Sequence, residues 1–516
     1  MKVPLTIADF LHRGALVYPN RPAFVDEPGT AGTLGTITYR SLDRRARGVA
    51  SALDDLGVGP GERVAVVSPN AARFGVLFYG VSGYGRVLVP VNYRLNADEV
   101  GYVVEHSGAS VLLVDPESDE ALAGVKARHR IVMDGVDDAA FFAEAADDRQ
   151  PVAWDGDEDS TASINYTSGT TARPKGVQLT HRNCWLNAVT FGWHAGVTDR
   201  DVYLHTLPMF HCNGWGMPYA VTAMGVPQVV IRKIDGEEIL RRIEAHGVTL
   251  MCGAPAVLVA ILDAAAARRH AGQPVPGRNT VRMIVAGAPP PSKSIERLET
   301  ELGWEFIQIY GLTETAPLLT MNRAPAEWDG LPAAERAKLK SRAGAPAVGV
   351  RIATDEEGEV LARTNNVFDG YWNQPEESAK VLVDGWFHTG DAGYIDSDEY
   401  LVIADRKKDV VISGGENVSS IEVEDCLWQH PAVAEVAVIG VPDPKWGETI
   451  KALVVLRSGQ QAGEAELIEF CRSRLAHFKC PTSVEFRDSL ARTATGKLQK
   501  FKLREPYWEG YDRRVH

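Results

Sequence analysis

The residues with the clearest chemical capacity lie in the string YTSGTTARPKG, Tyr166–Gly176, which leaves a short β-like run and is dense in hydroxyls and glycines, with one lysine. Small residues let backbone N–H groups approach an anion closely. The hydroxyls of Ser168, Thr170 and Thr171 can donate to phosphate oxygens, and Lys175 can neutralise charge developing on a pyrophosphate. The spacing is not that of the Walker A pattern GxxxxGK[ST]. Counted from Gly169, Pro174 stands where the second glycine belongs and Gly176 replaces the Mg²⁺-binding hydroxyl. The string therefore argues for a phosphate-holding loop of another kind and against a P-loop NTPase. A bare run of Ser, Thr and Gly reads equally well as a flexible surface loop, and its company in the chain decides between the two.

That company is LPMFHCNGWG (Leu207–Gly216), GAPPP (Gly287–Pro291), IYGLTE (Ile309–Glu314), WFHTGD (Trp386–Asp391), DRKKDVVISGGENVSSIEVE (Asp405–Glu424) and TATGKLQKFKLR (Thr493–Arg504). With the phosphate loop these strings, in this order, resemble the ANL superfamily: acyl-CoA synthetases, the adenylation domains of nonribosomal peptide synthetases, and beetle luciferases. The likeness runs through nearly the whole chain. The strings LPMFHCNGWG, SGGENVSS and TGKLQKFKLR look most like the acid–CoA ligases for medium-chain fatty acyl and aromatic acids. Two departures stand out. Ala172 occupies a position where the family usually has glycine, and VRIATDEEGEVLARTNNVFDGYW is shorter than the usual family version before its GYW.

The resemblance implies a two-step reaction with ATP, Mg²⁺ and coenzyme A. A carboxylate attacks the α-phosphorus of ATP and expels pyrophosphate, and the CoA thiol then attacks the acyl-adenylate. The nucleotide would be held by Thr167, Ser168, Gly169, Thr170, Thr171 and Lys175. Tyr310 and Gly311 would meet the adenine with Gly287, Ala288 and Pro289 beside it, and Thr313 would bond the α-phosphate. Glu314 is the implied Mg²⁺ ligand, since this hard cation keeps most of its waters and needs only one or two protein carboxylates. Asp391 would accept from the ribose hydroxyls with Arg406 assisting. Lys497, from a mobile C-terminal lid, would bridge carboxylate and adenylate oxygens as charge builds. Taken singly, Asp391 reads as a turn cap, Glu314 as a helix cap and Lys497 as a solvated lysine; jointly they do not.

For thioester formation the lid would turn about Lys408 and bring Gly414, Gly415 and Glu416 to the adenylate, the glycines leaving room for a pantetheine arm. Lys479 is a candidate partner for a CoA phosphate or, equally, a charge complementing a helix dipole. The resemblance sets His211 between acyl pocket and reaction centre, as an orienting or gating residue or as a packed histidine in a turn. Asn213, Gly214 and Trp215, with Gly287 and Gly311, are expected to shape the acyl cavity, although Trp215 also reads as core.

These groups need a large scaffold. At 516 residues the chain exceeds one hydrophobic core, and its 45% hydrophobic and 24% charged composition is that of a globular protein. Strand-like runs at Val111–Val114, Ser163–Tyr166, Val226–Ile231, Val281–Val285 and Phe306–Ile309 alternate with helix-length stretches such as SLDRRARGVASALDDLG. The expected class is α/β: a multi-layered N-terminal AMP-binding domain over 1–404, a hinge at 405–408, and a small α+β lid over 409–516. In the lid, VAEVAVIGV reads as a strand and AELIEFCRSRLAHF as an amphipathic helix. Asp115–Glu158, with little periodic apolar content, reads as a surface excursion, and Glu327–Gly344 as a solvated helix and loop.

The balance of 54 basic against 68 acidic residues, a net charge of −14, disfavours nucleic acid and anionic membrane surfaces as partners. No stretch reads as a membrane span, and Asp9, His12 and Arg13 interrupt any signal-peptide core. The six scattered cysteines lack zinc spacing and fit a reducing cytoplasm. The expected partners are a small-molecule carboxylic acid and CoA. An acyl-AMP ligase loading a carrier protein in trans and an inactive nucleotide-binding scaffold are the alternatives, and homodimers are common among similar enzymes. The strings do not specify which acid is used.

Overall fold

The structure, a computed structural model, describes residues 2–167, 173–287, 290–406, 409–413, 416–443, 447–492 and 498–509, without the side chains of 405, 406, 412, 416, 417 and 447. Its architecture is mixed α/β, as expected. Among the described residues the strands form four sheets.

The runs richest in Val, Leu and Ile form the centre of a seven-stranded sheet. Arg63–Val67 pairs in parallel with both Val87–Val91 and Ala109–Val114. Every residue of Val87–Val91 is buried, the signature of a strand covered on both faces. The phosphate-loop hairpin, Thr161–Thr167 with Lys175–Thr180, continues this sheet antiparallel, and Gly370–Tyr371 adds beyond it. In a nine-stranded sheet the parallel strands Tyr203–His205, Leu250–Gly253, Arg282–Val285 and Glu305–Gly311 lie side by side. A third sheet pairs Glu359–Arg363 with Trp386–Ile395, which in turn pairs with Leu401–Arg406.

Helices cover these sheets through ordinary amphipathic packing. Most of the SLDRRARGVASALDDLG stretch forms the helix Tyr39–Asp55, whose N-cap Thr38 accepts from Ser41 N–H and whose Leu42, Ala46, Val49 and Leu53 are buried. The fourth sheet is built on the antiparallel pair Val433–Asp443 and Gly447–Leu456. Its core, with Val423, Leu427, Val438, Val454 and Leu467, groups separately from those of the large sheets. Between the two parts, the half-buried Asp425 accepts from Ser292 N–H at 3.1 Å, and Ser419 Oγ donates to Ala404 O.

Three expectations about local structure change. The 115–158 segment is not merely a surface excursion. It supplies the edge strand His129–Val132, buries Phe141 and Phe142, and sends the fully buried Asp138 to Arg73. In the 327–344 stretch the helix Ala333–Lys340 has a buried side, where the Lys340 ammonium pairs with Glu299. The lid helix is Glu464–Arg472, shorter than the apolar pattern predicts, so Lys479 lies beyond it in a separate turn, His477–Lys479. Lys479 therefore does not end that helix. Among the described residues no helix is long and apolar enough to cross a membrane.

Candidate active site

A cleft of about 3360 Å³ opens where the large sheets meet, and residues of the lid complete its wall. The parallel strands enter it by their carboxyl ends: Leu250–Gly253 leads to Ala254, Arg282–Val285 to Ala286 and Gly287, and Glu305–Gly311 to Leu312 and Thr313. Backbone amides and loops converge at such ends, which makes them the usual ligand-binding edge of an open α/β sheet.

Much of the predicted site meets here. Thr167, Lys175, His211, Trp215 and Gly287 line the cleft, as do Tyr310, Gly311, Thr313, Glu314, Asp391 and Lys479. Thr167 and Lys175 face each other across the hairpin, which puts both feet of the phosphate loop on the cleft. Gly287 takes φ +91°, where an L side chain is strained, and faces open space. Gly311 is glycine for another reason: a Cβ there would lie 1.7 Å from the Pro317 carbonyl oxygen, so its small size admits the neighbouring backbone rather than opening an acyl cavity.

Two linked polar groups organise the cleft. The Tyr310 hydroxyl donates to Asp391 Oδ2 at 2.8 Å. Asp391 is opposite Arg406 in the antiparallel register. It follows Gly390, whose N–H donates to Glu359 Oε1 at 2.8 Å, while His388 Nδ1 stands 3.4 Å from Glu359 Oε2. Together with Asp355, whose Oδ1 accepts the N–H groups of Glu357 and Glu359, this grouping fixes the turn that presents Asp391. In the second group the Tyr371 hydroxyl donates to Glu314 Oε1 at 3.0 Å, and the Lys175 ammonium lies 4.8 Å from the Tyr371 ring centroid and 2.6 Å from Glu377. Burial, and then the Glu314 charge, push the Tyr371 phenol upward, so it remains a donor.

The acyl-side wall has an unusual backbone. Cys212, Asn213, Gly214, Trp215 and Gly216 all take positive φ, between 45° and 74°. For non-glycine residues this costs on the order of 1–2 kcal/mol each and must be held by surrounding bonds. Asn187 Nδ2 holds the Trp215 carbonyl at 3.0 Å, and Asn213 Nδ2 donates to Ser163 Oγ at 2.8 Å. Asn213, 2% exposed, and Gly214 therefore pack behind the wall rather than on it, contrary to expectation, while Trp215 reaches the surface of the cleft. Burial, then Cys184 and Glu314, raise the Cys212 thiol well above its usual range, so the neutral thiol is favoured there.

Other expected residues stand differently. Lys479 is gripped by both oxygens of Glu422, at 2.7 and 2.9 Å. Ser168, Gly169, Thr170, Thr171, Ala172, Ala288, Pro289, Lys408, Gly414, Gly415 and Lys497 lie outside the described residues. For Arg406 and Glu416 only the backbone is described. Sequence reading missed Tyr371, Glu377, Asn187 and Gln308. The GYW string was the one available signal for Tyr371. Gln308 Oε1 is buried without a hydrogen-bond partner, and the residue lines the cleft two positions before Tyr310.

Residues 11–372 match the family described as AMP-binding enzyme, and residues 422–497 match the AMP-binding enzyme C-terminal domain. The chain is 38% identical to 2-methylpropanoate–CoA ligase of Humulus lupulus, over 97% of this chain and 95% of that protein. It is 37% identical to 4-hydroxybutyrate–CoA ligase 2 of Metallosphaera sedula, over 97% and 94%. Among solved structures it is similar to O-succinylbenzoate coenzyme A synthetase from Bacillus subtilis. The complex of that enzyme with its acyl-adenylate intermediate superposes with TM-score 0.82 at 28% identity, covering 98% of each chain. Its complex with ATP and magnesium ion gives 0.81 at 27%, covering 96% and 99%.

Proposed function

Because the chain belongs to the AMP-binding enzyme family, we infer that it is an AMP-forming acid–CoA ligase, which activates a carboxylic acid with ATP and transfers the acyl group to coenzyme A. The carrying observation is 37–38% identity, over 97% of the chain, to enzymes named as CoA ligases, joined to a cleft that gathers Lys175, Tyr310, Thr313, Glu314 and Asp391. In the first step a carboxylate oxygen bonds to the α-phosphorus and the bond to the β-phosphate bridge breaks, releasing pyrophosphate. In the second, the CoA thiolate attacks the acyl carbonyl carbon and AMP departs.

The residues divide this work by charge and shape. Tyr310 stacks on the adenine, and the unpaired Gln308 acceptor suits an exocyclic amine. Asp391, held through Gly390 and Tyr310, takes the ribose hydroxyls with Arg406. Thr167, Ser168, Gly169, Thr170, Thr171 and Lys175 hold the phosphates, and Thr313 the α-phosphate. Glu314 fits Mg²⁺, being a carboxylate on the cleft with one oxygen steadied by the neutral Tyr371 phenol; the ion would neutralise phosphate charge. Lys497 stabilises the charge of the displacement, Lys408 is the hinge between 1–404 and 409–516, and Gly414, Gly415 and Glu416 admit the pantetheine arm. Lys479 can reach a CoA phosphate only by leaving Glu422. His211 and Trp215 bound the acyl group.

The acid is a short aliphatic one, as the names of two similar CoA ligases, for 2-methylpropanoate and 4-hydroxybutyrate, suggest. CoA rather than a carrier protein is the acceptor, on the same support. We place the enzyme in the cytoplasm, where its six unpaired, buried cysteines stay reduced, and expect a homodimer from the resemblance. The test separates the half-reactions. Lys497→Ala should slow pyrophosphate release by about 10²–10³-fold, the scale for one charge-stabilising donor, yet spare thioester formation from supplied acyl-AMP. Equal loss in both would show that the lysine serves the fold instead.

A further inference from the structure

The phosphate-side lysine already has an anionic partner within the chain. Glu377, on the helix Pro375–Val381, reaches Lys175 Nζ with Oε2 at 2.6 Å, across 202 positions of sequence. Its other oxygen, Oε1, accepts from Lys380 Nζ one helical turn on. The same helix follows Gly370–Tyr371, the strand that pairs with the phosphate-loop strand Lys175–Thr180, so carboxylate and ammonium are carried on one connected unit. The two cations hold the Glu377 carboxyl down to about 2, Lys175 contributing most, and it is therefore charged throughout the neutral range.

We propose that Glu377 is a counter-charge that competes with the phosphates of ATP and of pyrophosphate for the Lys175 ammonium, and thereby sets nucleotide affinity and the ease of pyrophosphate departure. The proposal rests on the reading that Lys175 meets phosphate. Its physical basis is exchange between partners. A lysine ammonium has three donors and a full charge, and a carboxylate at 2.6 Å both occupies a donor and lowers the local positive potential. A polyphosphate arriving at Lys175 must displace Glu377 or share with it. Lys380 makes displacement easier, because the carboxylate keeps one cation when it gives up the other. When pyrophosphate weakens its hold, Glu377 is positioned to reclaim the ammonium. The enzyme thus gives up ground-state affinity for ATP in return for product release.

The test is a set of variants read by the KM for ATP and the inhibition constant of inorganic pyrophosphate, with the KM for the acid as an internal control. Glu377→Gln keeps the shape and removes the charge. It should lower both the KM for ATP and the pyrophosphate constant by about two- to fivefold, the range for a partly exposed ion pair, with the acid KM unchanged. Lys380→Gln should move both constants upward by a similar factor, and the double variant should behave as Glu377→Gln alone. In a Lys175→Met background, Glu377→Gln should change nothing further. If Lys175→Met weakens ATP and pyrophosphate while Glu377→Gln leaves them unchanged or weakens them too, the counter-charge proposal is overturned and Glu377 merely orients the lysine. If Lys175→Met itself leaves both constants unaltered, the reading of Lys175 fails first.

Discussion

Replacing Tyr310 with phenylalanine removes one oxygen from the cleft, the one that donates to Asp391 Oδ2 at 2.8 Å, and leaves the ring in place. A hydrogen bond to a charged acceptor contributes about 1.5–3 kcal/mol when buried. Tyr310 and Asp391 are both half-buried, and Asp391 has other interactions besides this one. Solvent and those interactions reduce the loss to about half, ~0.8–1.5 kcal/mol, which is about a 4- to 12-fold fall in kcat/KM for ATP. Tyr310→Ala also loses the ring, adding about 1–3 kcal/mol of base stacking. Initial rates of pyrophosphate release against ATP concentration, at saturating acid, measure both. The expected order is wild type, Phe, Ala, with the KM for the acid little changed. A Phe variant equal to wild type would remove the phenol from the account, and a raised acid KM with ATP unaffected would make Tyr310 a wall of the acyl pocket.

Asp138→Ala should leave the buried Arg73 guanidinium uncompensated, lowering stability by about 3–5 kcal/mol, visible as a fall in Tm with KM values intact at low temperature because the pair lies outside the cleft. Gly311→Ala drives a methyl into the Pro317 carbonyl, so adenylation and Tm should fall together; an active variant with merely altered acid preference would contradict this. Burial raises the Asp425 carboxyl above 3.8, with the Ser292 donors opposing. Folding therefore favours the neutral form relative to the unfolded chain, and that contribution to stability, full below the unfolded value, is lost as pH rises through the folded value. Asp425→Asn should melt above wild type at pH 7, with the gap closing toward pH 4, and a pH-independent gap would point to packing alone.

What could be read from the strings was whatever local composition determines. Val111–Val114 was legible because a strand covered on both faces reads as an apolar run, and Phe306–Ile309 because Gln308 is the one polar residue in its run. The 115–158 segment was not, because Phe141, Phe142 and Asp138 enter the interior singly, without a period. In the site, Lys175, Tyr310, Glu314 and Asp391 stood in recognisable strings and do meet on one cleft. Asn213 and Gly214 misled because Asn213 spends its amide on Ser163, fifty positions earlier, a partner that the string does not reveal. Glu377 was illegible for a different reason: its significance is a partner two hundred positions away.

The most direct measurement follows an oxygen atom. The acid labelled with ¹⁸O in its carboxylate, 2-methylpropanoate first, is turned over with ATP, Mg²⁺ and CoA, and the products are weighed by mass spectrometry. Attack of the carboxylate on the α-phosphorus predicts AMP carrying one ¹⁸O, formed in equal amount with pyrophosphate and acyl-CoA. Label in inorganic phosphate alongside ADP would contradict the acyl-adenylate route.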